Sequence, residues 1–135
     1  YNDKSTFTRP EDAALFAEKT GVTSLAVAFG SCHGVYKDLP NLDLERLQEI
    51  NAATETPLVL HGGSGIPEDQ LEKAFTLGIN KFNVATEYIT LYEKLLFQYY
   101  TEKFGKCSPF EKFSYIRKQL IEYVSHKLQL CKLTV

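Results

Sequence analysis

Apolar and polar positions along the chain follow two patterns, one typical of buried strands and one typical of helices. Residues 24–30 and 57–61 are almost entirely apolar, which favours strands buried on both faces. A third strand is predicted over residues 79–84. Elsewhere apolar residues recur every three or four positions, which predicts helices over about 10–19, 43–53, 67–77 and 86–104, and a last helix after Ser108. The order αβαβαβαα predicts an α/β fold with parallel strands and right-handed crossovers.

Helix ends are marked by short local motifs. Thr8 and Glu11, and again Ser108 and Glu111, have the spacing of a capping box, in which the hydroxyl and the carboxylate each accept from the other's backbone N–H. Gly21 suits the left-handed residue that ends a helix. We therefore expect the first helix to begin just after Thr8 and to end before Gly21.

Three strands are too few for a complete domain of this class. A (β/α)₈ barrel needs roughly 250 residues, whereas this chain has 135, and three parallel strands leave two unpaired edges. We expect residues 1–135 to be the C-terminal part of a single TIM barrel domain, with about three βα units and the terminal helices. The chain begins at Tyr1 and contains no methionine, which indicates a processed chain or a fragment.

Composition argues against several classes of partner. The chain carries 15 Lys and Arg against 17 Asp and Glu without a basic block, so no nucleic-acid surface is predicted. Its longest apolar run, Leu25–Phe29, is far shorter than the ~20 residues that span a bilayer, and no membrane association is expected. Cys32, Cys107 and Cys131 form no CxxC motif, which favours reduced thiols in a cytoplasmic protein.

Two histidines lie at or just beyond the C-terminal ends of consecutive predicted strands. In a barrel this end of the strands carries the active site, so His33 and His61 can point at one spot. Neutral imidazole is a common zinc ligand, and a catalytic zinc takes three protein ligands and one open position. Spacing alone also allows two ordinary loop histidines. His126, among polar residues of the last helix, is expected to be solvated.

A glycine-rich turn follows the second predicted strand. Gly62-Gly-Ser-Gly65 lets backbone N–H groups approach an anion closely, and Ser64 adds a hydroxyl donor. Asn83-Val-Ala-Thr86 likewise joins the third strand to a helix. Two adjacent loops of this kind form the phosphate site that barrels often build from their last strands, although a glycine-rich turn is also common for purely structural reasons.

Three segments resemble the class II, zinc-dependent ketose-bisphosphate aldolases, which include the fructose- and tagatose-bisphosphate aldolases. They are Ser24-Leu-Ala-Val-Ala-Phe-Gly-Ser-Cys-His-Gly34, Pro57-Leu-Val-Leu-His-Gly-Gly-Ser-Gly-Ile-Pro67 and Lys81-Phe-Asn-Val-Ala-Thr-Glu87. They occur in the family's order and spacing, and the resemblance covers essentially the whole chain but only the C-terminal half of the family's barrel. Phe82 stands where the family usually has a smaller aliphatic residue, which should alter packing rather than chemistry.

The resemblance implies a site and a reaction. His33 and His61 match two of three zinc ligands, and the matches to contacts with the ketone-phosphate half of the substrate are Gly34, Gly62, Gly63, Ser64, Asn83, Val84, Ala85 and Thr86. The third zinc histidine and the catalytic Asp lie in the family's N-terminal half, outside this chain. The implied activity is reversible cleavage of a ketose 1,6-bisphosphate to dihydroxyacetone phosphate and glyceraldehyde 3-phosphate, in a homo-oligomer (dimer or tetramer) with Zn²⁺ and a monovalent cation near the phosphate.

Other functions stay open at this point. Schiff-base aldol chemistry would need a desolvated lysine, and Lys81 is the only candidate by position, with nothing near it in sequence to depress its pKa. A phosphate-binding half-barrel without catalysis, or a metal-free phosphate-binding barrel enzyme, would also explain the glycine-rich loops. An Asp-His motif upstream of this chain would favour an aldolase over the half-barrel without catalysis. Metal analysis would distinguish an aldolase from the metal-free enzyme.

Overall fold

The computed structural model describes residues 3–34, 36, 38–104, 106 and 108–131. The chain divides into two compact units, Tyr1–Val84 and Ala85–Val135. Cys107 lies outside the described residues, whereas Cys32 and Cys131 are free thiols. In the part of the chain that the structure describes, no helix is both long enough and apolar enough to cross a membrane.

The first unit contains a sheet of three parallel strands, β1 (Leu25–Ala26), β2 (Leu58–Leu60) and β3 (Ile79–Phe82), which are adjacent in sequence order. This confirms the predicted strands, their direction and their order. Each strand is shorter than predicted, and β1 most of all. Beyond β1 the chain pairs instead with Thr8, whose N–H donates to the Ala28 carbonyl at 2.8 Å and whose hydroxyl accepts from the Ala28 N–H at 2.9 Å.

An irregularity lies between β2 and β3. The register shifts between Leu58 and Val59, which pair with Ile79 and Lys81. The skipped residue, Asn80, compensates with its side chain, because its Oδ1 accepts from the Leu58 N–H at 3.0 Å. The backbone donor of β2 is therefore satisfied at the irregularity, as a half-buried donor requires.

Three helices accompany the sheet in the first unit: α1 (Pro10–Thr20), α2 (Leu44–Ala53) and α3 (Glu68–Thr76). Their bounds lie within about two residues of the prediction. The core forms where their apolar positions meet the strands, and its fully buried side chains include Phe29, Leu47, Ile50, Leu58, Leu60 and Leu71. The apolar periodicity thus identified the inward faces of α2 and α3 correctly.

The predicted capping box at the start of α1 is wrong. Thr8 is engaged with Ala28, so Arg9 becomes the N-terminal cap and makes no capping bond with its side chain. Arg9 instead pairs with Asp12, with Nε 2.7 Å from Oδ2. At the other end, Gly21 has φ 62° and ends the helix in the left-handed conformation, as predicted.

The described residues of the second unit form two helices, α4 (Thr86–Glu102) and α5 (Pro109–Leu130). Ser108 caps α5 as predicted, since its hydroxyl accepts from the Glu111 N–H at 3.5 Å. Apolar residues recur along one stripe of each helix. Of these residues Leu95, Tyr99 and Ile116 are buried, whereas Tyr88, Tyr92, Phe113 and Val124 are exposed. Two helices in contact cover only part of each stripe, so the outer positions remain exposed within this unit.

Candidate functional site

His33 and His61 lie side by side in the first unit. His61 directly follows β2, and His33 lies in the loop that follows β1. Their ring centroids are 5.3 Å apart and the ring planes are nearly perpendicular, at 83°. His61 is half-buried and His33 is exposed. Because β1 and β2 are adjacent and parallel, their C-terminal ends bring the two imidazoles together, as the sequence suggested they could be.

Asn83 contacts the ring of His61. Its Nδ2 lies 3.3 Å from Nε2 of His61, and its backbone N–H donates to the Leu60 carbonyl at 3.1 Å. The second bond continues the pairing of β2 with β3 by one residue. The sheet therefore fixes the backbone of Asn83 beside His61 and lets the amide reach the imidazole.

The glycine-rich turn is pressed against the loop that carries His33. Gly62 has φ 64°, and a Cβ at this position would collide with the carbonyl group of Cys32. A Cβ at Gly63 would likewise collide with the ring of Phe82. Only glycine fits at these two positions, for reasons of space at both and of backbone conformation at Gly62. Phe82 therefore packs directly on the turn and also makes an edge contact with Phe75, with centroids 5.7 Å apart.

Ser64 and Gly34 occupy different environments. Ser64 is buried at 7% exposure, inside the turn, whereas Gly34 is exposed in a left-handed conformation with φ 92°. α3 begins only at Glu68 and carries Glu68 and Asp69 in its first turn. These carboxylates already face the positive end of the helix, so the donors expected for an anion are the backbone groups of Gly62–Ser64 rather than the start of α3.

The second predicted phosphate loop, Asn83–Thr86, crosses the boundary between the units. Asn83 and Val84 are half-buried and end the first unit, whereas Ala85 and Thr86 open the second. Ala85 is the N-terminal cap of α4 and contributes no capping side chain.

Tyr36 is the residue that sequence reasoning missed. Its hydroxyl accepts from the Cys32 N–H at 2.9 Å and donates to the Gly62 carbonyl at 2.7 Å. A tyrosine three residues after His33, in the loop after the first predicted strand, was the only signal in the sequence. Nothing in the sequence indicates which backbone groups the Tyr36 hydroxyl would reach, because one of them, the Gly62 carbonyl, lies 26 residues away along the chain.

The family model for fructose-bisphosphate aldolase class-II matches residues 1–134. The chain belongs to the class-II fructose-bisphosphate aldolase family. This confirms the resemblance that the three segments suggested.

Solved structures agree with this family. The YdjI aldolase from Escherichia coli K12 is 36% identical with a TM-score of 0.82, over 92% of this chain and 45% of that one. A proposed fructose-1,6-bisphosphate aldolase from Coccidioides immitis is 31% identical with a TM-score of 0.82, over 93% and 43%. A fructose-bisphosphate aldolase from Campylobacter jejuni, at 23% identity and a TM-score of 0.73 over 95% and 46%, shares the fold. This chain spans less than half the length of these relatives.

The candidate site offers two histidine side chains close together as nitrogen donors. Among the described residues, no group of three or more His, Cys, Asp or Glu side chains is arranged to hold a metal ion. Lys81, the alternative Schiff-base candidate, is exposed to solvent on β3, whereas Schiff-base chemistry needs a desolvated lysine. His126 is exposed on α5, as expected.

Proposed function

We propose that this chain supplies the C-terminal part of the (β/α)₈ barrel of a zinc-dependent ketose-bisphosphate aldolase. The reaction is reversible cleavage of fructose or tagatose 1,6-bisphosphate to dihydroxyacetone phosphate and glyceraldehyde 3-phosphate. The observation that carries the proposal is the pairing of His33 and His61, with ring centroids 5.3 Å apart at the ends of adjacent parallel strands.

The donor set suits zinc. Imidazole nitrogen is a preferred ligand of this ion. The rings of His33 and His61 are close enough to bind one zinc ion together, with a third ligand from outside this chain. When bound, zinc supplies Lewis-acid stabilisation of the negative charge that bond cleavage leaves on the ketone half of the substrate. A histidine ligand commonly uses its second ring nitrogen for a hydrogen bond that fixes the ring. With a proton on Nε2, a zinc-bound His61 would donate to the side-chain oxygen of Asn83, whereas the Nδ2 that lies 3.3 Å from Nε2 in this structure donates to an unprotonated Nε2.

The glycine-rich turn would hold the phosphate of the ketone half. The backbone N–H groups of Gly62 and Gly63 would donate to this anion, and Ser64 would add a hydroxyl from a buried position. Gly34, which lies beside His33 and is exposed, completes this side of the site, together with Asn83 and Val84. From the sequence we add Ala85 and Thr86, and a monovalent cation near the phosphate. Fixing one end of the substrate in this way orients the bond to be cleaved.

The remaining chemical groups would come from outside this chain. We propose that residues 1–135 belong to one barrel domain of a cytoplasmic homo-oligomer. The N-terminal half of that barrel would provide the third zinc histidine and the Asp that moves the hydroxyl proton. General acid–base help of this kind is typically worth ~10²–10⁴-fold in rate. A phosphate-binding half-barrel without catalysis would bind the same ligands and lack turnover.

Zinc analysis and an aldol-cleavage assay of the full-length protein test the proposal together. We expect stoichiometric zinc, cleavage of one of the two ketose bisphosphates, and loss of both metal and activity in His61→Ala. Activity that survives exhaustive chelation would contradict the proposal, and phosphate-ester binding without turnover would favour the binding module.

A further inference from the structure

Tyr36 joins the two loops that carry the histidine pair. Its hydroxyl lies between two backbone groups, accepting from the Cys32 N–H at 2.9 Å and donating to the Gly62 carbonyl at 2.7 Å. Cys32 immediately precedes His33, and Gly62 immediately follows His61. The Tyr36 hydroxyl oxygen therefore connects the residue before His33 to the residue after His61.

The ring of Tyr36 adds a second connection. A Cβ built on Gly65 would lie 3.3 Å from Cδ2 of Tyr36, so the ring packs over the last glycine of the turn. Tyr36 is half-buried, as is Gly62, and a hydrogen bond in such surroundings is less exposed to competition from water. The ring and the hydroxyl together hold the turn from Gly62 to Gly65 against the loop after β1.

The loop after β1 needs such a support. Between β1 and α2 no regular element is formed by the described residues, and His33 and Gly34 are exposed. A loop of this kind would let His33 move relative to His61, which directly follows a strand. Close packing of Gly62 on the Cys32 carbonyl sets the distance between the loops, and the Tyr36 hydroxyl sets their register.

We propose that Tyr36 is a positioning residue that fixes His33 relative to His61 for metal binding. The inference rests on the proposed function only in so far as the two histidines share a metal ion. Tyr36 is assigned no contact with substrate or metal. It acts through the backbone of Cys32 and Gly62.

The variant Tyr36→Phe removes the hydroxyl and keeps the ring on Gly65. Tyr99→Phe is the matched control, because the Tyr99 hydroxyl also donates to a backbone carbonyl, that of Ser108 at 3.1 Å, in the second unit. Zinc affinity is measured by competition with a chromophoric chelator, and the visible spectrum of the Co²⁺-substituted protein reports the coordination. Both are measured on the full-length protein, beside thermal unfolding of the metal-free form.

We expect Tyr36→Phe to lower zinc affinity by roughly 10–100-fold, the range for groups that orient metal ligands, and to change the Co²⁺ spectrum. Tyr99→Phe should keep both the affinity and the spectrum even where it lowers the melting temperature. Unchanged zinc affinity and spectrum in Tyr36→Phe would overturn the inference, and so would equal losses in the two variants.

A measurement on the wild type keeps the inference testable if Tyr36→Phe fails to fold. The Cys32 amide should exchange its hydrogen slowly in the metal-free protein, because Tyr36 accepts from it; rapid exchange would refute the connection. Failure of the proposed function gives a different result from failure of this inference. A wild-type protein that binds no zinc refutes the aldolase proposal. A wild-type protein that binds zinc with the same affinity as Tyr36→Phe refutes the positioning role alone.

Discussion

Nδ2 of Asn83 lies 3.3 Å from Nε2 of His61, across the ends of two neighbouring strands. We predict that Asn83→Ala weakens zinc binding by roughly 10–100-fold, since the imidazole loses the partner that orients it. Asn83→Asp should preserve much of the affinity, because a carboxylate can accept from the ring N–H. Isothermal titration with zinc measures both.

Asn80→Ala is the control for Asn83→Ala. Asn80 lies on β3, which Asn83 directly follows, and the side chain of Asn80 accepts from the Leu58 N–H at 3.0 Å. Its loss should reduce stability and leave zinc affinity unchanged. Equal weakening of zinc binding in both variants would mean that Asn83 acts through general stability and not on His61.

Ser64→Ala should weaken binding of the phosphorylated ketose by roughly 0.5–2 kcal/mol, the range for one hydrogen bond, with more for a charged acceptor. The substitution removes a buried hydroxyl from the turn and leaves the backbone donors in place. Calorimetry with the ketose bisphosphate and with the unphosphorylated sugar separates the phosphate contribution. The exposed Ser114, changed to Ala, serves as the control. If Ser64→Ala binds both sugars as the wild type does, the Ser64 hydroxyl does not bind the phosphate.

Gly63→Ala should destabilise the protein by about 1–3 kcal/mol, because the added methyl group meets the ring of Phe82 in a packed environment. The double variant Gly63→Ala with Phe82→Leu should recover part of the loss, since leucine leaves space for the methyl group. Urea unfolding of the two single variants and the double variant measures this coupling. Additive losses would show that Phe82 does not limit the space at Gly63.

Asp43 is predicted to stabilise the protein in a pH-dependent way. Hydrogen bonding from Lys4, with Nζ 2.8 Å from Oδ2, and from the Arg46 N–H lowers the pKa of Asp43 below its usual value. A carboxylate with a lowered pKa contributes stability above its unfolded pKa of about 3.9, and this contribution disappears as pH falls through the folded pKa. Asp43→Ala should therefore lower the free energy of unfolding at pH 7 by about 0.5–2 kcal/mol, the range for an N-terminal cap.

The difference between Asp43→Ala and the wild type should shrink as pH falls below about 4. Asp69→Ala provides the comparison, because Asp69 is exposed and lies 3.5 Å from Lys73 on the surface of α3. Its effect should stay within about 0.5 kcal/mol at every pH. A loss in Asp43→Ala that is independent of pH would indicate that the charge of Asp43 plays no part.

The 135-residue chain expressed alone should be catalytically silent. It provides two histidines for a site that uses three protein ligands, and the described residues contain no group of three metal-binding side chains. β1 and β3 would also present unpaired edges, which favours association. Cleavage assays with both ketose bisphosphates and added zinc test this expectation. Turnover at an enzymatic rate by a monodisperse monomer would require a catalytic base within these residues.

Local sequence predicted most of the secondary structure and the residues of the candidate site. Apolar runs and helical periodicity predicted three parallel strands in sequence order and five helices, and the bounds predicted for the first four helices lie within about two residues of those observed. Gly21 and Ser108 end and begin helices as predicted, because capping depends on residues only a few positions apart. The positions of His33 and His61 at the ends of adjacent strands follow from the same reasoning.

Only the tertiary structure decided which distant groups meet. Thr8 has the right spacing for a cap, yet it bonds to Ala28, 20 residues away, and this pairing replaces the later part of the predicted first strand. The contact of Tyr36 with Gly62 and that of Phe82 with Gly63 likewise join residues from separate elements. Such contacts depend on how whole strands and loops pack. A polar side chain can bond to several partners, and the fold, rather than the neighbouring residues in sequence, determines which partner it meets.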